Sequence, residues 1–582
     1  MSKSLRTRQV VLAELRRQLP SILTVTTTML MGAGVSLLQP AFYKHLFDTA
    51  IPSGDEDLII WLLIAMIVTP VAGIGLAYGH DYLRVRIGEH VSQTLRWELF
   101  CHAILLRIPE LESITRAGVV FRIKVVAGRV GEMYIAQELL PVISHGITLF
   151  GAIVVMVLID GQLAAIACVA LPITWFVTWR MSGLSKDRDA EYLAHRARGE
   201  EQLTETLEGL RTVKAYGGES KERLRWRQWI ELDIHHKLRS IALHQIVLTF
   251  PNDVVNNLVI GIILGIGALR ILDDSLTIGS LIAFMGYTPR AYGALRGVLR
   301  TCAGTRRVHA SADQLDELFE RQIEPDTAGK GESDTHAPEI EFRNVSFSYG
   351  RGFELGDVSF TISPGEFLAV VGPSGGGKST IYDLLLRFHE PLSGSILVDG
   401  ADYLRLPLAD WRKTISWMPQ DVFLWDDSIA DNLTYPERPD LESLDTVLTR
   451  TGLDGMVNRL PEGLQTRSGH RGELFSGGER QRISLGRAIL SDRPILLIDE
   501  ATSALDAISE QRIRSAIEEI RRNRTTIVIA HRFSTIQRAD RILVLDETGR
   551  MSEIGTPAEL LSQDGLFRQL LEAQKLDLMT DL

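Results

Sequence analysis

The chain has 582 residues, 45% of them hydrophobic and 23% charged, and a formal net charge of -11. That length exceeds what one hydrophobic core organises, so several folding units are expected. The acid excess gives no reason to expect a nucleic-acid partner, because phosphate backbones call for surplus Lys and Arg. Cys101, Cys168 and Cys302 lie far apart without C-x-x-C or Cys/His spacing, which signals neither zinc nor a disulfide framework and suits reduced structural thiols.

The average composition conceals an apolar first half. An uncharged run begins near Pro20, after Arg16 and Arg17. A signal peptide begins in the same way, but this run continues to Tyr43 and five more follow, so a retained first span is expected. Runs of about 20 uncharged residues cross a ~30 Å hydrocarbon core as helices. Six such spans are predicted at 19–43, 58–78, 139–159, 161–179, 241–269 and 276–299, the last interrupted by Arg290 and Arg296.

The connections 47–57, 160–162 and 273–275 hold no Lys or Arg, whereas 84–130 and 180–240 hold Arg84, Arg86, Arg96, Arg107, Arg116, Arg180, Lys186, Arg211, Lys214 and others. By the positive-inside rule both long segments and both termini are cytosolic. Apolar residues at three- and four-residue spacing in the long segments predict helices that continue the spans into the cytosol. No peptidase domain precedes the first span, so leader-peptide cleavage is not expected of this chain.

The membrane domain is assigned to 1–320, and the polar, Gly- and Pro-containing stretch 321–338 reads as a linker. In 339–582, strand-like runs at 339–347, 366–371, 495–498, 526–529 and 542–545 alternate with helical segments, which predicts a mostly parallel sheet covered by helices. Such sheets bind ligands at strand C-terminal ends.

At one such end, after the strand FLAVV, lies Gly372-Pro-Ser374-Gly375-Gly376-Gly377-Lys378-Ser379-Thr380, followed by a helical segment. The pattern is that of a phosphate loop: glycines let N–H groups converge on phosphate oxygens, the lysine neutralises β/γ charge, and the serine hydroxyl ligates Mg²⁺. Further on, the buried run Ile495-Leu-Leu-Ile ends in Asp499-Glu500, an order that suits a metal partner followed by a general base for the water that attacks the γ-phosphate. Taken alone, two acids ending a strand are also ordinary solvated caps.

The motif Phe475-Ser476-Gly477-Gly478-Glu479, about 20 residues before Asp499, resembles the signature of ATP-binding cassette proteins. Tyr349 matches the aromatic position that stacks on adenine, Gln420 the Q-loop, Ser503-Ala-Leu-Asp506 the D-loop and His531 the switch histidine. In the membrane half, Leu105-Leu-Arg-Ile-Pro109 with Gly118 and Arg122, and the stretch from Leu210 to Gly218, resemble cytosolic loops of exporter-type members. The likeness covers essentially the whole chain.

The resemblance implies a fold of six transmembrane helices with long cytosolic extensions fused to an α/β P-loop ATPase domain. It implies ATP and Mg²⁺ as cofactors, with Ser379, Gln420 and Asp499 at the metal, Glu500, His531 and Gln420 in catalysis, and Asp506 at the nucleotide. It also implies that ATP is sandwiched between the phosphate loop of one copy and the signature of another, so the chain works as a dimer. With Glu500, His531 and the signature glycines all present, a homodimer is favoured over pairing with a degenerate partner. Short coupling helices near 113–119 and 212–218 transmit the motion. Phe475 and Glu479 replace the usual Leu and Gln of the signature, and His470 stands where exporters have Glu; these bear on closure and interdomain signalling. The implied activity is ATP-driven export by alternating access, with an importer on the same architecture, for example for siderophores, as the alternative. A soluble repair or translation cassette would lack the six spans, and an ATP-gated channel would not need Glu500. Lipid, peptide, siderophore and drug remain open as cargo. The expected location is a bacterial inner membrane, in contact with its lipid.

Asp253 and Arg290 lie within the fifth and sixth spans, where charge marks a pathway or an internal pair. Each is about 20 Å from the interface at which its span begins, taking ~1.5 Å per residue, so the two could face one another. With Asn252, Asn256 and Asn257 they are candidates for a polar cargo wall; the alternative is an ion pair that only packs two helices.

Overall fold

The computed structural model describes residues 5–244, 250–325, 336–350, 352, 354–436, 441–499, 507–522, 524–530 and 533–580. The chain divides into two compact units, Met1–Leu106 with Glu110–Ile323, and Arg107–Pro109 with Glu324–Leu582.

The principal helices of the first unit are α1 (Leu5–Arg17), α2 (Leu19–His45), α3 (Glu56–Ile104), α4 (Pro141–Ile159), α5 (Gly161–Glu208), α6 (Glu219–His244), α7 (Phe250–Leu272) and α8 (Ile278–Phe319). The six expected spans fall on α2, α3, α4, α5, α7 and α8, the first four residues of the fifth lying at the end of α6 and 245–249 lying outside the described residues. Length and apolarity alone qualify four segments among the described residues: Leu19–Ser53, Glu56–Ile104, Pro141–Ile159 and Asp253–Leu272. The apolar part of α5 is the shorter Gly161–Phe176, and α8, which carries Arg290 and Arg296, falls below the same threshold. Helices α3, α5 and α8, of 49, 48 and 42 residues, run about 60–75 Å at ~1.5 Å per residue, twice a hydrocarbon core.

Small residues let these helices approach closely: Ala152, Ala164, Ala167, Ala170, Ala283 and Ala291 are buried in one cluster with Phe284 and Tyr287. In α2, Thr24, Thr26, Thr27 and Thr28 turn their hydroxyls back onto carbonyls one turn earlier, which satisfies polar groups without water. At the start of α8, Asp48 accepts from the Gly279 N–H at 2.9 Å and the Thr277 hydroxyl at 2.7 Å, fixing that helix end to the end of the first span. Short helices Arg116–Phe121, capped by Thr115, and Leu210–Ala215 lie where coupling elements are expected.

In the second unit a mostly parallel sheet has the order β10–β9–β3–β8–β7–β6 and a separate antiparallel sheet the order β2–β1–β4–β5. The strands are β1 (Ile340–Ser348), β2 (Glu354–Ile362), β3 (Phe367–Val371), β4 (Ser393–Val398), β5 (Ala401–Asp402), β6 (Ile415–Met418), β7 (Ile495–Asp499), β8 (Thr525–Ile529), β9 (Arg541–Leu545) and β10 (Met551–Gly555). The strand expected at 339–347 thus belongs to the antiparallel sheet, paired with β2 and β4, because its buried and open residues alternate. By contrast β3 and β8 are buried at every residue, the mark of a parallel strand covered on both faces. Helix α9 (Lys378–Leu385) follows β3, and α10 (Gly477–Leu490) carries the signature. Glu324, in the expected linker, takes a bidentate bond from Arg412 at 2.7 and 2.8 Å, so the second unit's contacts begin there.

Candidate nucleotide site

The loop from Gly372 to Gly377 joins the C-terminal end of β3 to α9, whose last preceding residue, Gly377, is left-handed at φ 88°. The glycines are required by space as well as torsion. A Cβ on Gly372 would lie 2.6 Å from the Leu545 carbonyl oxygen, and one on Gly376 would lie 2.8 Å from that of Asp546. The loop is therefore pressed against the end of β9, and within it the Gly376 N–H donates to the Pro373 carbonyl at 3.1 Å.

Lys378 is buried, and its ammonium donates to the carbonyls of Gly372 at 2.9 Å and Pro373 at 2.8 Å. A cation bridging the loop's own carbonyls is held at the concave side where phosphate oxygens would converge. Ser374, Gly375 and Ser379 are exposed around it, while Thr380 is buried. Tyr349 packs edge-on against Phe347 and His389, and its hydroxyl donates to Asp383 of α9 at 2.7 Å, leaving the ring 37% exposed beside the loop's helix. That is the geometry of a platform for a flat base.

Asp499 ends β7, and the exposed Gln420 follows β6, the neighbouring strand. With the Ser379 hydroxyl they supply oxygen donors of the hard kind that suits Mg²⁺. The segment after Gln420 is held by Asn432, which accepts from the Trp425 N–H at 3.0 Å and donates to its carbonyl at 2.9 Å. Arg487 stacks on Trp425 and donates to the Asn432 carbonyl at 2.8 Å; burial pulls its guanidinium down to about 10. Glu500, Ser503, Asp506 and His531 lie outside the described residues.

Ser476 caps α10, and the capping box is closed by Glu479, whose carboxylate accepts from the Ser476 N–H at 2.9 Å and hydroxyl at 2.8 Å. Gly477 and Gly478 open the helix with Ser476 exposed, so N–H groups and hydroxyl sit at an outward-facing positive helix end. Phe475 is buried against Ile483 and Leu424, so here the phenyl fills a core position. His470 starts the tight turn before the signature, where Arg471 is left-handed at φ 53°.

The family model for the ABC transporter transmembrane region matches residues 22–292, and that for the ABC transporter itself matches 355–503. The ATP-dependent lipid A-core flippase of Burkholderia thailandensis is 31% identical over 544 residues, covering 92% of this chain and 90% of that protein. The chain belongs to the ABC transporter family. The flippase of Cupriavidus metallidurans is 32% identical over 566 residues, covering 95% of this chain and 93% of its own length. A solved bacterial Atm1-family ABC exporter with ATP bound matches at TM-score 0.85 and 27% identity, over 96% of this chain and 98% of that one. As an ABC transporter, the protein is an integral membrane protein that binds ATP and couples its hydrolysis to transport.

The intramembrane charges of this transporter are arranged differently from the sequence expectation. Asp253 accepts from Arg296 at 2.8 Å, while Arg290 donates to the Gln39 side chain and to the Gly286 carbonyl, both at 2.7 Å. The reason is register. Counted from the turn that α7 and α8 share, Asp253 is 19 residues before Leu272 and Arg296 is 18 residues after Ile278, so these two are level. Arg290 is 12 residues after Ile278, so it lies nearer that turn than Asp253 does. Asn256 has a buried amide oxygen without a partner among the described residues, Asn257 is exposed, and the side chain of Asn252 lies outside the described residues. Gln39, invisible as a site residue in sequence because it is one polar residue in an apolar run, is the partner that the pattern missed.

A substitution tests the loop geometry. Gly372→Ala is expected to weaken ATP binding at least about tenfold, because the added methyl meets backbone rather than a movable side chain. Titration with a fluorescent ATP analogue reads this directly; wild-type affinity would show that the loop can move away from β9.

Proposed function

We propose that the protein is a homodimeric lipid exporter of a bacterial inner membrane, with both termini and the ATPase domain in the cytosol. One observation carries the ATP chemistry: a glycine loop whose own carbonyls of Gly372 and Pro373 already hold the Lys378 ammonium. Two copies facing each other complete two sites. In each, Lys378 and the loop N–H groups hold the phosphates, Tyr349 supports the adenine, and Ser476, Gly477 and Gly478 of the other copy close over the γ-phosphate. Ser379, Gln420 and Asp499 would hold Mg²⁺, which would supply charge neutralisation at the phosphates. Glu500 takes the proton of the attacking water, with His531 and Asp506 completing the site. ATP favours the closed pair and hydrolysis reopens it, a difference in binding between two states. The short helices Arg116–Phe121 and Leu210–Ala215 carry that motion to the spans.

The relatives are named for flipping lipid A-core and the structural neighbour is an exporter, which favours outward movement of a lipid over import. Arg290 fits an anionic headgroup: among the described residues its partners are a neutral amide and a carbonyl, so its charge is left for a ligand to answer. Asp253, Asn256 and Asn257 belong to the same polar belt, with Asp253 already engaged by Arg296.

Arg290→Gln is expected to cut cargo-stimulated ATPase activity in lipid bilayers at least about fivefold with basal activity retained, because the amide keeps a donor but loses the charge. Asp253→Asn, which frees Arg296, is expected to change stimulation less than about twofold. Equal stimulation in wild type and Arg290→Gln removes Arg290 from the cargo site.

A further inference from the structure

Tyr382 stands four residues after Lys378, on α9, and is fully buried in the core of the second unit. Its hydroxyl does not simply fill space. It accepts from the Ile529 N–H at 2.9 Å and faces the carbonyls of Ile498 and Ile527, each at 2.7 Å. Ile498 is on β7 and the other two are on β8, with Ile498 opposite Val528 and Asp499 opposite Ile529. In a parallel ladder with that register, the N–H of Ile529 and the carbonyl of Ile498 are the two halves of one rung. The phenolic oxygen therefore joins a rung between β7 and β8, touching both of its polar halves.

The place matters because of what leaves the sheet there. Asp499 is the next residue after Ile498, followed in sequence by Glu500; His531 comes two residues after Ile529. The same side chain is carried by the helix that begins with Lys378. A single hydroxyl thus ties the phosphate-loop helix to both strand ends from which the metal partner, the base and the switch histidine depart. Burial, and next the negative charge of Asp499, push the phenol well above its usual range, so it stays protonated and able to donate.

We propose that Tyr382 is a positioning residue for ATP hydrolysis, its hydroxyl setting how the ends of β7 and β8 sit relative to the phosphate-loop helix. This rests on the nucleotide-site reading above. The hydroxyl's hydrogen bonds are to backbone groups, so it acts on the hydrolytic step through Asp499 and the residues after each strand. Its loss leaves the loop's phosphate contacts in place.

The test is steady-state ATPase activity of the full-length protein in lipid bilayers, with kcat and KM for ATP separated, for wild type, Tyr382→Phe and Tyr403→Phe. Tyr403 is the internal control: it is equally buried in the same domain, but its hydroxyl has no partner among the described residues. Tyr382→Phe is expected to lower kcat about tenfold with KM within about twofold, because the lost bonds orient the reacting groups and do not hold the nucleotide. Tyr403→Phe is expected to match wild type in both constants. A Tyr382→Phe protein that melts earlier but keeps the wild-type kcat overturns the proposal, as does a fall in kcat/KM carried by KM alone. If that variant does not accumulate folded, 3-fluorotyrosine at position 382 keeps the shape and alters the hydroxyl's acidity; an unchanged kcat then overturns it. Glu500→Gln, assayed alongside, separates the two claims: if it turns over normally the nucleotide-site reading fails, whereas if it is inactive and Tyr382→Phe is normal only the positioning role fails.

Discussion

Lys378→Ala is expected to reduce ATP turnover at least about a hundredfold while the protein still inserts into membranes, since one preorganised cation at the phosphates is worth several kcal/mol. The structure explains why the effect should be large. The ammonium is held by two loop carbonyls, so its orientation is settled before nucleotide arrives. Alanine removes the charge and also takes a donor from the Gly372 and Pro373 carbonyls. The helices of the first unit form their own clusters around Val25, Leu95 and Ile135 and around Phe284 and Tyr287. Yield and membrane extraction should therefore match wild type. Phosphate release and analogue binding measure the loss; near-normal turnover would remove Lys378 from the site.

Glu500→Gln is the second large effect, and it differs in kind. Binding should persist while hydrolysis falls at least about a hundredfold, because the amide keeps the shape of the carboxylate but cannot accept the water's proton. With hydrolysis stopped, ATP should accumulate a closed dimer that wild type visits only briefly. Cross-linking between cysteines introduced beside Ser476 and Ser374 reads this state: strong ATP-dependent cross-linking in Glu500→Gln and weak cross-linking in wild type are expected. Normal turnover in the variant would move the base role to another residue.

Much of this architecture was legible because its signals are local. A run such as FLAVV, buried at all five positions, can only be a covered strand, and the glycines after it specify a loop that no side chain fits. The antiparallel sheet was harder. Strand β5 has two residues and β4 six, too short to show a period, and β2 ends at a turn that composition does not distinguish from a loop. The sixth span was visible in its length but not in its apolarity, since Arg290 and Arg296 serve different partners inside the unit. Those two arginines are six residues apart, which at about 100° per residue puts them roughly 120° apart around the helix. Depth counting carries no such phase, so it allowed Arg290 to face Asp253, whereas the ion pair is made with Arg296. Tyr382 gave no signal because a core aromatic on an amphipathic helix looks the same whether or not its hydroxyl is used. Only the backbone of two distant strands reveals it.

The most direct test of the account is the leaflet distribution of fluorescent lipid A in vesicles holding the purified protein, followed after MgATP is added to the outside. Protein with its ATPase domain outward should shift the probe toward the inner leaflet in proportion to ATP consumed, with no shift for Glu500→Gln. An unchanged distribution while wild-type protein hydrolyses ATP would contradict ATP-driven lipid export.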